Sequence, residues 1–131
     1  MTHIRADYQL GTEAQARLLP KFAAFFADEL KPTPGQYDRY DYESDTAVYE
    51  LKTRRNQKNA YPTTCIGADK VNPKHPKAQV YLFEFTDGTY YIRYDKTTFD
   101  SFERKPLVRN APGFVEKPYL FIPVTALQPI P

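Results

Sequence analysis

The stretch Tyr40-Asp41-Tyr42-Glu43-Ser44-Asp45-Thr46-Ala47-Val48-Tyr49-Glu50-Leu51-Lys52-Thr53-Arg54 decides how this chain folds. Ser44-Asp45 are turn residues set between two runs rich in Tyr and Val, so the stretch predicts a β-hairpin. A two-residue turn there places Tyr42 opposite Ala47 and Asp41 opposite Val48, and a four-residue turn over Glu43–Thr46 gives the same register. Side chains alternate along a strand and directly paired residues share a face. Asp41, Val48, Glu50 and Lys52 are then expected on one face, exposed and unpacked, with Tyr40, Tyr42, Tyr49 and Leu51 on the other. A slip of one residue would turn Asp41 away. Asp38 would face away, and Asp45 sits in the turn, which leaves Asp41 as the partner of Glu50.

Two carboxylates and a lysine on adjacent strands have a definite chemistry. Magnesium takes hard oxygen ligands, commonly one or two carboxylates together with waters and a substrate phosphate. Asp41 and Glu50 are the candidate metal ligands, with the carbonyl of Leu51 as a third. A cation held there lowers the pKa of a bound water and neutralises charge on a phosphate. Lys52, two residues beyond Glu50, reaches the same face with a compact ammonium. An E-x-K tripeptide alone is also what an ordinary solvated strand face carries, and such surface ion pairs contribute little.

Downstream, Lys52, Arg54, Arg55, Lys58, Lys70, Lys74 and Lys77 stand against a single acid, Asp69. Such a strip can follow a phosphate backbone, although a soluble loop also carries lysines. Because it leaves the strand that bears Lys52, it borders the proposed site. Arg54 shares strand parity with Lys52 and is the first candidate for a phosphate contact, followed by Arg55, Lys58 and Lys70. Tyr61-Pro62-Thr63-Thr64 is either a turn bonded to its own backbone or a source of hydroxyls for a phosphate. His3 and His75 have no partner at ligand spacing, so no transition-metal site is expected.

The rest of the chain supplies a scaffold. Thr12 with Gln15 forms a capping-box pattern opening a helix. Leu18, Phe22, Phe25, Phe26 and Leu30 recur at helical spacing and should face a sheet, with Pro20 implying a kink or a later start. Lys31–Gly35 closes the helix. A long loop is expected from Arg55 to about Gln79, with at most a single helical turn over Pro73–Ala78. Val80–Phe85 and Tyr90–Tyr94 flank Asp87-Gly88, a hairpin turn signal. Tyr81, Phe83, Phe85, Tyr90, Ile92 and Tyr94 should share its buried face, with Glu84 and Arg93 opposite. A short helix over Thr98–Arg104, irregular chain over Lys105–Lys117 and a last strand over Tyr119–Val124, edged by Pro123, complete the reading.

The hairpin motif, continued through Arg54-Arg55-Asn56, Tyr61-Pro62-Thr63-Thr64 and Lys70-Val71, resembles the core of the PD-(D/E)XK nuclease superfamily in its D…E-x-K form, and is similar to small endonucleases of phages and large DNA viruses. The likeness spans roughly Thr12 to Val124, its specific part being the hairpin. It implies an α/β (α+β) fold, restriction-endonuclease-like, with a mixed central sheet of about five strands and a leading helix packed on it. It further implies Asp41 and Glu50 as ligands of Mg2+, with Mn2+ as a substitute, and Lys52 as the catalytic lysine. A glutamate from the first helix often joins such sites. Glu13 is the residue favoured here, ahead of Glu29, although a glutamate in a first helical turn is ordinarily explained by the helix dipole. Tyr40 stands where the pattern has proline.

The chain has 131 residues, a net charge of +2 and no Trp, with 11 Tyr and 9 Phe to fill a core. That length predicts one domain over 1–131, which the resemblance implies is nuclease-like. A single cysteine, Cys65, forbids an internal disulfide. No apolar run is long enough to span a membrane, and the polar opening Met1–Asp7 is unlike a secretory leader, so a cytoplasmic, non-membrane protein is expected. The expected partner is nucleic acid, DNA ahead of RNA, and a homodimer is open because family members acting on two strands are often paired. A non-catalytic nucleic-acid-binding or virion-associated module on the same sheet is the alternative.

Overall fold

The computed structural model describes residues 2–34, 40–107 and 117–131. Its elements are α1 (Thr2–Phe26), β1 (Lys31–Pro32), β2 (Tyr42–Glu43), β3 (Ala47–Thr53), β4 (Thr63–Gly67), β5 (Ala78–Phe85), β6 (Gly88–Arg93), α2 (Lys96–Asp100), β7 (Glu103–Pro106), β8 (Pro118–Pro123) and β9 (Gln128–Ile130). The fold is mixed α+β. A six-stranded sheet runs in the order β1-β2-β3-β5-β6-β9, and a three-stranded sheet in the order β4-β8-β7. Only β3 and β5 pair in parallel among these strands; the remaining pairs are antiparallel.

Sequence alternation sends the two faces of the large sheet into separate cores. Tyr42, Tyr49, Leu51, Val80 and Leu82 meet Ala14, Leu18 and Phe22 of α1. Tyr81, Phe83, Phe85 and Ile92 meet Ile66, Leu120 and Ile122 of the small sheet and Phe99 of α2. The central strands are thus covered on both sides. Tyr90 and Tyr94 pack on the second core, while Glu84 binds Arg17 of α1 and Arg93 lies over Phe26, as the alternation requires.

Helix α1 starts well before Thr12, so the capping-box reading fails: Thr12 and Gln15 are interior residues. Pro20 lies inside the helix, a position that costs about 3 kcal/mol. Leu18 and Phe22, both buried on either side of it, each contribute about 1.5–3 kcal/mol by burial and offset that cost. Phe25 is half out of the core, against Phe26 and Tyr91. The helix closes at Phe26, before Lys31. Asp28 N–H donates to Ala23 O (3.1 Å) and Ala27 N–H to Ala24 O (3.3 Å), with Ala27 left-handed at φ 49°, a Schellman closure.

Both hairpins are displaced by two residues from the sequence register. Tyr42 lies opposite Tyr49, not Ala47, because Ser44 N–H closes on Ala47 O (2.9 Å) and the turn is Asp45-Thr46. In the second, Phe85 lies opposite Gly88 and the turn is Thr86-Asp87. An even displacement keeps the paired side chains on their expected faces. The expected Arg55–Gln79 loop contains β4, whose partner β8 is more than fifty residues away in sequence. Thr98–Arg104 divides into the end of α2, capped by Asp95 through Thr98 N–H, and the start of β7, which runs on to Pro106. Residues 73–77 form a turn and bends and not a helix, and Ala78 opens β5. Asp38 and the 108–116 part of the expected irregular segment lie outside the described residues.

Candidate active site

The site forms where β2 leaves β3. Tyr42 is the residue opposite Tyr49, yet the Asp41 amide donates to the Tyr49 carbonyl (2.9 Å). This is one residue out of step with the ladder, and the strand is bulged there. A bulge re-aims the side chains that follow it. Tyr42 therefore enters the α1 core, its hydroxyl donating to Gln15 O (2.6 Å). Tyr40, expected on the same face, turns to the other layer, where its hydroxyl meets Lys70 O and Gln79 Oε1.

Between them, the Asp41 carboxylate sits at the strand edge. Its Oδ2 accepts from Leu51 N–H (2.7 Å) and its Oδ1 from Gln15 Nε2 (2.7 Å). Asp41 thus stands in for the strand partner that Leu51 lacks once β2 has ended. Arg54 N–H and Thr46 O both bond on the β5 side of β3, so the odd-numbered backbone groups point to the β2 side. The Leu51 carbonyl shares the direction of its N–H, and therefore points to the edge where Asp41 lies.

Glu50 lies level with Tyr81 in the parallel pair, on the face away from α1. It is only 4% exposed, which corrects the expectation of an open, unpacked face: β3 is interior, and the segment carrying Lys70 covers it. Lys52 Nζ lies 3.1 Å from Glu50 Oε1 and Lys70 Nζ 3.9 Å from the same oxygen. Burial pushes the Glu50 carboxyl above its ordinary range and the nearby Asp41 charge adds to this, while both lysines oppose it. Burial likewise raises Asp41, against the Leu51 amide and the same two lysines. The two carboxylates therefore share one electrostatic environment, and a raised pair of acids is what an added cation relieves.

Lys70 is delivered by a buried polar frame. Its carbonyl accepts from Tyr81 Oη (2.7 Å) and Tyr40 Oη (3.2 Å). Gln79, 4% exposed, accepts from Asn72 N–H (2.8 Å) and donates to Asn72 O (2.8 Å). The sequence reading placed Lys70 among peripheral phosphate contacts. The structure brings it to Glu50, because a 3-10 turn over Ala68–Lys70 follows β4 directly.

The other candidates distribute differently. Glu13 is exposed and bound to Arg17 Nε (2.9 Å), and Arg17 in turn forms a two-pronged pair with Glu84 (2.9 Å each). Among the described residues of α1, Gln15 is the one that bonds to Asp41. Glu29 lines a separate depression with Lys31, Glu43 and Lys77. Arg54 clamps β3 to β4, through Nε to Thr64 Oγ1 (3.2 Å) and through Nη2 to Cys65 O. This commits Thr64 to the scaffold as well. Lys58 lies over the Tyr90 ring (4.9 Å), and Arg55 is exposed beside Lys52.

Among the described residues there is no cluster of three or more His, Cys, Asp and Glu side chains. The Asp41 and Glu50 carboxylates and the Leu51 carbonyl are hard oxygens, the donor type that magnesium and manganese take. No helix among the described residues is long and apolar enough to cross a membrane. Comparison with known protein families and with curated proteins gives no match to this chain.

Proposed function

We propose that this protein is a divalent-metal-dependent endonuclease that hydrolyses phosphodiester bonds in DNA. The observation that carries the reading is that the Leu51 N–H holds the Asp41 carboxylate at the edge of β3 while Glu50 and Lys52 of the same strand pair at 3.1 Å. The likeness of this D…E-x-K pattern to the PD-(D/E)XK nucleases agrees with it. Asp41, Glu50 and the Leu51 carbonyl would hold Mg2+ or Mn2+, which when bound supplies a water of lowered pKa and charge neutralisation at the phosphate.

The chain's own groups have distinct tasks in this reading. Gln15 and the Leu51 amide fix the Asp41 carboxylate so that it does not reorient as charge develops. Lys52, 3.1 Å from Glu50, would supply the ammonium that stabilises the phosphorane-like charge or orients the attacking water. Lys70 adds to Lys52 in opposing the rise that burial imposes on the Glu50 carboxyl.

A non-catalytic nucleic-acid-binding module is favoured by one observation: Glu50 is already balanced by two lysines. A cleavage assay separates the two. Branched, nicked, single-stranded and duplex DNA, and RNA, are incubated with magnesium, manganese or a chelator, with Lys52→Ala as control. The proposal expects metal-dependent cleavage of DNA that Lys52→Ala abolishes. Binding without cleavage under every condition would establish the module instead.

A further inference from the structure

Beside the proposed site, Leu10 and Gly11 of α1 face Leu51, Lys52, Thr53, Arg54 and Arg55 across a groove of about 390 Å3. That is within the range of about 300–1,000 Å3 typical of small-ligand sites. Lys52, Arg54 and Arg55 line the other wall, with the Lys52 ammonium turned to Glu50, the Arg54 guanidinium to Thr64 and Cys65, and Arg55 exposed; no acidic residue lines the groove among the described residues.

Gly11 needs an explanation. It lies inside α1, where glycine costs about 0.5–1 kcal/mol relative to alanine. Helix glycines are commonly required because a Cβ would strike a neighbour, but a Cβ at Gly11 would meet nothing within 4 Å. Neither packing nor backbone conformation asks for it, since no φ in the left-handed range is found there. What its lack of a side chain does accomplish is to leave the helix-side wall of this groove bare. Thr53, on the opposite wall, adds a second observation. Its Oγ1 is buried without a hydrogen-bond partner, the single such side-chain atom among the described residues, a state costing about 1–3 kcal/mol. Rotation about χ1 re-aims that hydroxyl, and an acceptor arriving in the groove would give it the partner it lacks.

We propose that this groove is the track for one strand of nucleic acid leading to the Asp41–Glu50 site, with Gly11 as the point of close backbone approach and Thr53 as a hydrogen-bond donor to the strand. The idea rests on the nuclease reading for its ligand. Its chemistry is that of a phosphate backbone: the exposed Arg55 on one wall, an unpartnered hydroxyl at Thr53, and open space at Gly11. A side chain at Gly11 would narrow the track without disturbing the core.

The test reads binding rather than turnover. A fluorescent single-stranded DNA oligonucleotide and its duplex are titrated with wild-type protein, Gly11→Ala, Gly11→Leu and Thr53→Val in chelator, by anisotropy, with thermal melts in parallel. Gly11→Leu should weaken binding of the single strand by about tenfold or more, which is the 1.4 kcal/mol of one decade. Gly11→Ala and Thr53→Val should weaken it to smaller degrees, with Gly11→Ala melting at or above the wild-type temperature. Wild-type affinity in folded Gly11→Ala and Gly11→Leu, or no binding by the wild-type chain, would overturn the groove. Weakened binding by these variants of a protein that cleaves nothing would leave the groove standing and remove the nuclease reading. Unchanged binding in an active nuclease would do the reverse.

Discussion

The two hairpins of the central sheet are built from similar residues and do opposite things. In β5–β6 the ladder is regular from Val80–Arg93 to Phe85–Gly88, and its aromatic face closes over the second core. In β2–β3 only Tyr42 and Glu43 pair before the bulge at Asp41 intervenes. The regular hairpin satisfies its backbone with backbone. The interrupted one leaves the Leu51 peptide edge to be met by a carboxylate. The difference teaches that this site is a defect in pairing, held in place by Gln15, Tyr42 and the Lys70 frame.

The contrast can be broken at either end. Phe83 is fully buried in the regular hairpin, so Phe83→Ala should cost about 3–5 kcal/mol, measured by denaturant unfolding, without altering the rate per folded molecule. Asp41→Asn, Glu50→Gln and Lys52→Ala should each lower the cleavage rate about 10²–10³-fold while circular dichroism shows a native fold. Asp45→Asn, in the exposed turn, should leave the rate unchanged. Equal losses for Asp41→Asn and Asp45→Asn would refute the placement of Asp41 at the bulge.

A subtler difference concerns pH. Asp41 and Glu50 have raised folded-state values, so the native protein holds their protons more tightly than the unfolded chain does. Their contribution to stability is therefore complete below the ordinary carboxylate range, about pH 4, and is lost as pH rises through the raised values of the pair. Melting temperature should fall with pH over that window in the wild type and less steeply in Glu50→Gln. Added manganese should reverse the fall in the wild type alone. Smallest in effect is the turn itself. Ser44 Oγ accepts from Ala47 N–H (3.1 Å) and donates to Asp28 Oδ2 (2.6 Å), so Ser44→Ala should cost about 1–2 kcal/mol in urea unfolding, with cleavage intact.

Much of this was legible in the residues because strand faces depend on parity. Turn assignments off by one position moved each register by an even step, and the faces of Tyr49, Glu50, Lys52, Phe83 and Ile92 were unaffected. Local alternation could not reveal the bulge, which depends on where β1 draws the chain: Thr33 N–H donates to Asp41 O (3.0 Å). Hence Tyr40 was assigned to the wrong layer. Strand β4 escaped because it is short, follows Pro62 and pairs only with the distant β8. Its Thr63-Thr64-Cys65-Ile66 run did carry the β-branched signal. The Thr12–Gln15 spacing mimics a capping box, which hides that both residues lie inside a helix beginning at Thr2. The burial of Glu50 follows from β3 having β5 as a parallel neighbour, a long-range pairing that no local pattern announces.

The most direct measurement is a calorimetric titration of the folded protein with manganese, repeated on Asp41→Asn and Glu50→Gln. The account predicts one ion bound per chain by the wild type and a loss of that binding in both variants. A wild type that binds no ion, or variants that bind it as the wild type does, would contradict it.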